Sequence, residues 1–359
     1  MKITIVGGGN IGTIFAVHCA EKKHEVTVYT SDTSIYDKTL SIVDENETVI
    51  HEGDIKQATN DPVIAFKDAD MIIVTYPSMM MEGIANIIYE NTGSHAMIGV
   101  IPGSGGCECA FKKCIERGNI FFGLERVPAI ARLVTKGKTV QSKGYKSDLR
   151  IASIPADAVD KCCSIIQDIF DIPCISVPNY LNITLTPSNP ILHTTRLCAL
   201  FRDYHDGVVY PYIPLFYEEW NDASSELLLA CDDEEQIVCK ALPEFQLNFV
   251  RPLREYYESP TVKAMTNKIS SIKAFKGLKT PSVEVEGGLI PDLHSRYFTA
   301  DFSYGLVIIQ QIAKIAGIDT PNIDSTMEWY RSIAIEKSEF SFSDYNINTV
   351  DDLRSLYLR

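Results

Sequence analysis

Lys2-Ile3-Thr4-Ile5-Val6-Gly7-Gly8-Gly9-Asn10-Ile11-Gly12 is the stretch on which the reading of this chain turns. A short apolar run suited to a buried strand ends in Gly-x-Gly-x-x-Gly, and a helical pattern follows over 13–21. A second strand pattern, Glu25-Val26-Thr27-Val28-Tyr29, closes a unit of about 30 residues. That order has a chemical reason. Gly7 permits the tight turn, Gly9 lets the backbone approach a pyrophosphate, and Gly12 lets helix and strand pack closely. The helix start, with Asn10 and Ile11, then offers free N–H groups and a positive dipole end to phosphates. A glycine-rich turn alone often serves geometry only. Placed between a strand and a helix, it predicts a bound dinucleotide, NAD or NADP.

The choice between the two cofactors stays open. An acidic residue ending the second strand would bond the ribose 2′-OH of NAD. Here the chain reads Tyr29-Thr30-Ser31-Asp32, so Thr30 takes the usual acidic position. Thr30 and Ser31 could donate to a 2′-phosphate, but no Arg stands beside them and Asp32 would repel one. An ordinary polar turn reads equally well there.

At 359 residues the chain exceeds the usual single-core size and predicts two domains. Its formal charge of −14 argues against a nucleic-acid or anionic-membrane surface, though not against a local cationic pocket. No leader pattern precedes Ile3, and no apolar run reaches the ~18 residues of a membrane span. Ten cysteines without framework spacing suit a reducing cytoplasm. Cys107-Glu108-Cys109 and Cys162-Cys163 lack a second pair at zinc-site spacing, so they read as free or buried thiols and no metal is expected.

The first half alternates strand and helix. Apolar runs at 71–76, 96–101 and 120–124 read as buried parallel strands, with helices near 80–89 and 110–116. The segment 39–50 looks like a hairpin insertion. Strands at 138–141, 149–154 and 173–177 and a helix over 156–170 complete an α/β domain, Rossmann-type in its dinucleotide-binding part. A hinge is predicted over 178–187. Beyond it, helical periods dominate at 192–204, 222–242, 261–275, 299–316 and 322–334. The domain expectation is therefore 1–182 for the NAD(P)-binding part and 183–359 for an all-α substrate part.

Three constellations could supply a proton source and a carboxylate clamp beside a nicotinamide. They are Ser188-Asn189-Pro190-Ile191-Leu192-His193, Arg296-Tyr297-Phe298-Thr299-Ala300-Asp301, and the turn Ile101-Pro102-Gly103-Ser104-Gly105-Gly106. Together with Val74-Thr75-Tyr76-Pro77-Ser78, Ile213-Pro214-Leu215-Phe216-Tyr217, Phe275-Lys276-Gly277-Leu278 and Tyr345-Asn346-Ile347-Asn348-Thr349, their order is fairly specific. Through nearly its whole length the chain resembles the opine dehydrogenases of the octopine/nopaline type. The resemblance implies NAD(P)H-dependent reductive condensation of a 2-oxo acid with the amino group of an amino acid. It also implies a helical second domain similar to the C-terminal part of 6-phosphogluconate dehydrogenase, with Pro77 beside the cofactor. The His matching His193 would be the acid/base, Asp301 its partner, and Arg296 the ligand of a substrate carboxylate.

Elementary chemistry agrees with those roles. Imidazole titrates near neutrality, a carboxylate on its other nitrogen fixes the tautomer, and guanidinium matches a carboxylate fork. Asn189 could orient substrate or the nicotinamide amide, although Pro190 suggests a helix N-cap. The other six histidines, among them His18 and His51, read as structural. Ser104 stands where the family commonly carries Gln, and Arg126 and Ala131 stand where octopine-forming members place Thr and Cys. Arginine is therefore not assumed as the amine. Arg126 could favour a carboxylate-rich donor, or it could pair with Glu125 or a cofactor phosphate. Glycerol-3-phosphate, ketopantoate and 6-phosphogluconate dehydrogenases share a nucleotide domain followed by helices, but their catalytic lysine motifs have no clear counterpart here. The competing classes are therefore a simple 2-hydroxy-acid dehydrogenase and a dinucleotide-binding redox sensor without turnover. A homo-oligomer is left open.

Overall fold

The computed structural model describes residues 1–186, 188–335 and 338–359. They divide into two compact units, Met1–Leu185 with Leu353–Arg359, and Thr186–Asp352. The closing residues 353–359, expected with the helical domain, thus belong to the first unit. The reason is local bonding: the Tyr357 hydroxyl donates to buried Glu108 at 2.6 Å, and Ala156 N–H donates to the Arg359 carbonyl at 2.9 Å. The 182/183 boundary also falls inside a short helix, Leu181–Leu185. That helix lies within the expected hinge, whose last residue, Pro187, is outside the described residues.

The first unit is built on β1 (Lys2–Val6), helix α1 (Asn10–Glu21) and β2 (Glu25–Tyr29). After them come β3 (Thr39–Val43), β4 (Val49–Asp54), β5 (Gln57–Thr59), β6 (Met71–Val74), β7 (Met97–Val100) and β8 (Phe121–Leu124). The strands β9 (Ala129–Thr135), β10 (Thr139–Tyr145), β11 (Leu149–Ile154) and β12 (Cys174–Ser176) complete the set. An eight-stranded sheet runs β12-β11-β8-β7-β6-β1-β2-β5 and is parallel except where β11 meets β8. β1, β6, β7 and β8 are apolar in nearly every position because they are buried on both faces. Ile14, Phe15 and Val17 of α1 pack into the core that Ile3, Ile5, Val28 and Ile73 share. The expected hairpin is β3 and β4, but it belongs to a second sheet, β4-β3-β10-β9. Strand β9 was not anticipated. It alternates buried and exposed positions, which is the half-buried edge pattern.

In the second unit the helix Asp222–Ala241 is central. Around it pack Asn189–Phe201, Val262–Ser270, Val307–Ala316 and Pro321–Ile333. The stretch expected as one helix over 299–316 is instead broken. A short helix Arg296–Thr299 precedes a π-helical turn, Phe302–Leu306, and only then does the α-helix begin. A hairpin of β13 (Ser282–Val285) and β14 (Gly288–Pro291) was also missed. No described helix is long and apolar enough to cross a membrane.

Candidate active site

The glycine turn of the first unit behaves as its sequence predicts. Gly7 takes φ +101°, and Gly9 caps α1 with no side-chain bond to the helix start. A Cβ on Gly12 would stand 1.7 Å from the Gly7 carbonyl oxygen, so only glycine allows this approach. A Cβ on Gly9 would meet nothing within 4 Å. The open face at Gly9, at the start of a 12-residue helix, is the cradle a pyrophosphate needs, and the residues present fit a dinucleotide. Asn10 does different work from its neighbours: its Oδ1 accepts the Leu133 N–H at 2.7 Å and ties α1 to β9. Thr30 is buried and its N–H donates to the Thr59 carbonyl, whereas Ser31 is exposed. Asp32 accepts from the Ser34 hydroxyl at 2.8 Å. Pro77 lies half-buried just before the short helical turn Ser78–Met80.

Ser104 is half-buried in the turn after β7. Arg126 pairs with Glu125 at 3.1 Å, the simpler of the readings open to it, and Glu125 also receives Arg150 at 3.5 Å. All ten cysteines are free, and burial pushes the thiols of Cys107 and Cys109 well up, which makes them inert.

The second unit assembles a titratable centre. His193 sits in the second turn of the helix Asn189–Phe201 and is only 7 % exposed. Its Nδ1 lies 2.8 Å from Asp301 Oδ2, and its Nε2 lies 2.7 Å from the Tyr217 hydroxyl. A carboxylate can only accept, so Nδ1 carries the proton and Nε2 presents its lone pair to the Tyr217 O–H. The Tyr297 ring packs 4.4 Å from the imidazole, with Phe216 edge-on at 5.5 Å. Burial, reinforced by Tyr297, raises the Tyr217 hydroxyl above its ordinary range, which keeps it a donor.

Two features hold this geometry. Asp301 opens the π-helical turn, and the Leu306 N–H reaches back to its carbonyl at 2.8 Å. In that turn Gly305 lies against Pro190, where a Cβ would stand 2.8 Å from the ring, and so Asp301 reaches the start of the His193 helix. The second feature is Arg196, one turn beyond His193 and fully buried. Its guanidinium donates to the carbonyls of Leu215 (3.1 Å), Phe216 (3.0 Å) and Glu219 (2.7 Å) and to the Ser224 hydroxyl (3.1 Å). It thereby fixes the loop that carries Tyr217. Burial lowers Arg196 to about 10, still fully charged at neutral pH.

The sequence placed His193, Asp301 and Arg296 in one site, and the structure brings the first two into contact. Arg296 is exposed at the start of its short helix and makes no ion pair with any described residue. It is linked to the centre through its neighbour Tyr297. Asn189 is not the helix cap. Ser188 takes that place, and Asn189 is the exposed first helical residue with Pro190 behind it. Tyr217 and Arg196 were missed as site residues. The Ile213–Tyr217 motif is visible in the sequence, but no sequence signal links a loop tyrosine to a histidine 24 positions earlier.

A twisted, mostly parallel sheet with a glycine cradle, and a buried His–Asp pair in a helical unit, define a nicotinamide-dependent oxidoreductase. Comparison with known proteins agrees. Residues 176–334 match the family described as NAD/NADP octopine/nopaline dehydrogenase, alpha-helical domain, and residues 2–107 match the NAD-dependent glycerol-3-phosphate dehydrogenase N-terminus. Octopine dehydrogenase of Mizuhopecten yessoensis is 25 % identical, covering 92 % of this chain and 89 % of that protein. An opine dehydrogenase of Haliotis discus hannai is 26 % identical, covering 91 % and 89 %. The solved structure of octopine dehydrogenase with NADH and L-arginine superposes with a TM-score of 0.86 at 24 % identity, over 98 % of this chain and 97 % of that one. These matches support the opine dehydrogenase family for this chain, and it is an NAD(P)-dependent oxidoreductase acting on CH–NH donors.

Proposed function

We propose that the protein joins a pyruvate-like 2-oxo acid to the amino group of an amino acid by NAD(P)H-dependent reductive condensation. The observation that carries this reading is His193, held at both nitrogens in a buried setting with its Nε2 lone pair directed at a hydroxyl. The balance is amine plus 2-oxo acid plus NAD(P)H and a proton, giving the N-carboxyalkyl amino acid, water and NAD(P)⁺.

Each residue has a task in that balance. His193 Nε2 takes the proton that the attacking nitrogen loses and returns it to the former carbonyl oxygen; with the second proton, the one consumed in the balance, that oxygen leaves as water. Asp301 keeps the Nδ1 proton in place and steadies the imidazolium formed in between. The Tyr217 hydroxyl occupies Nε2 before substrate does. Arg296, exposed and forked, suits a substrate carboxylate. The backbone at Gly7, Gly9 and Gly12, with the N–H groups of the first turn of α1, holds the pyrophosphate. The bound dinucleotide supplies the hydride. Thr30 and Ser31 replace the acidic residue of NAD-selective sites and no arginine accompanies them, so we assign NAD or NADP without choosing. Ten free thiols suit a reducing compartment such as the cytoplasm.

Amine dependence of NADH oxidation is the test. With pyruvate present, oxidation should require one member of an amino-acid panel. Equal rates with and without amine would make the protein a simple 2-hydroxy-acid dehydrogenase instead.

A further inference from the structure

At the far end of α1 from the glycine turn, three metal-binding side chains converge. His18 and Glu21 stand three residues apart, which places them on one face of the helix. His51 arrives from β4, 30 positions beyond Glu21. Its approach depends on Gly53: a Cβ there would lie 2.7 Å from the Ala20 Cβ and 2.8 Å from the Val17 carbonyl oxygen. With glycine in place the strand lies directly on the last turns of α1.

Glu21 Oε2 lies 2.9 Å from His51 Nδ1 and 3.8 Å from His18 Nδ1. One ligand atom from each of the three residues falls within 4.8 Å of the others. Around a tetrahedral ion with Zn–N near 2.0–2.1 Å, ligand atoms stand about 3.4 Å apart, so the two Glu21 distances need shifts of about 0.5 Å and the widest separation a closing of at most about 1.4 Å, within the reach of side-chain rotation. His18 is the anchored member. Its side chain is 5 % exposed, and its Nε2 lies 2.8 Å from the Tyr145 hydroxyl. An Nε2–H donated to Tyr145 leaves the Nδ1 lone pair directed at Glu21, the outer-shell support that ligating histidines ordinarily have. Glu21 and His51 are accessible from solvent, which provides an entry path and room for a water as fourth ligand.

We propose that His18, Glu21 and His51 form a binding site for one divalent transition-metal ion of the zinc type, separate from the catalytic residues. Two imidazoles and one carboxylate favour such an ion over magnesium, which takes oxygen ligands in an octahedron. The bound ion would clamp the β3–β4 hairpin to the helix whose other end cradles the dinucleotide. The alternative is that Glu21 and His51 form only a surface ion pair.

Zinc titration of the purified full-length protein against a chromophoric chelator separates the two. The wild type should bind one zinc per chain, and a hundredfold excess of magnesium should not displace it. His51→Ala and Glu21→Gln, both at accessible positions, should each weaken binding tenfold or more. Tyr145→Phe should weaken it about 10–100-fold through His18 alone. Zinc should raise the melting temperature of the wild type but not that of His51→Ala. Absence of one-to-one binding, or an affinity unchanged in both His51→Ala and Glu21→Gln, would overturn the site.

Discussion

His193 Nδ1 lies 2.8 Å from Asp301 Oδ2, although 108 positions separate the two residues in the chain. The contact is long-range, buried and one-directional, since the carboxylate can only accept. It leaves Nε2 as the nitrogen whose lone pair can take up a proton. Asp301→Asn offers an amide whose N–H can favour the opposite tautomer. Turnover should fall by ~10²-fold or more, as for loss of a positioned acid/base, and His193→Ala should do at least as much. Cofactor titration should be unchanged in both variants. Normal turnover in either would make the pair structural.

Tyr217 is the second contact of the same imidazole. Its ring stacks on Phe275 at 4.3 Å, so Tyr217→Phe should keep the fold and lose only the hydroxyl. We expect kcat to drop about tenfold or more, the scale of one hydrogen bond to a group that becomes charged. Arg196→Lys should act in the same direction, because an ammonium cannot replace donors to three carbonyls and a hydroxyl. Wild-type kcat and pH profile in Tyr217→Phe would place the hydroxyl outside the proton path.

The glycine turn separates into two kinds of position. A methyl on Gly9 enters open space in the protein, whereas one on Gly12 collides with the Gly7 carbonyl. Gly9→Ala should therefore melt like the wild type without cofactor yet bind NAD(P)H more weakly. Gly12→Ala should melt lower even without cofactor. Differential scanning fluorimetry and nicotinamide fluorescence measure the two properties independently. A large drop in the apo-protein melting temperature for Gly9→Ala, with normal binding, would reduce Gly9 to a turn residue.

The central helix of the second unit carries a buried carboxyl, Asp232, which accepts the Leu253 N–H at 2.9 Å. Burial raises it from 3.8 to about 7. Between those values the folded chain holds a proton that the unfolded chain releases. Its contribution is thus fully present below pH ~4 and lost as pH rises through about 7. Asp232→Asn removes this dependence. The melting temperature of the variant relative to wild type should be higher at pH 8 than at pH 4.5. A pH-independent difference would mean that Asp232 titrates normally.

Local geometry explains what the sequence revealed and what it concealed. The glycine turn and the apolar strands β1, β6, β7 and β8 declare themselves within a few residues, because their requirements are met by neighbours in the chain. Strand β9 hid because its exposed positions include Ile130 and Val134, so the apolar run shows no in-and-out alternation to mark a half-buried edge strand. The β13–β14 hairpin was overlooked despite Gly287-Gly288 between alternating residues. The break at 302–306 was invisible because a π-helical turn uses the same apolar residues as an α-helix. His193, Asp301 and Arg296 were legible as a family constellation. Tyr217 was not, since its place at Nε2 depends on a loop fastened by a buried arginine. Asn189 was misplaced by one residue, the ordinary uncertainty of a helix end.

Mass spectrometry of the product formed from pyruvate, an amino-acid panel and C4-deuterated NADH tests the central claim most directly. The prediction is a product of the combined substrate masses less one oxygen, about one mass unit heavier for the deuterium it carries, formed one-to-one with NADH consumed. Deuterium should sit on the former carbonyl carbon. Deuterated lactate with the amine untouched, or NADH bound without turnover, would contradict it.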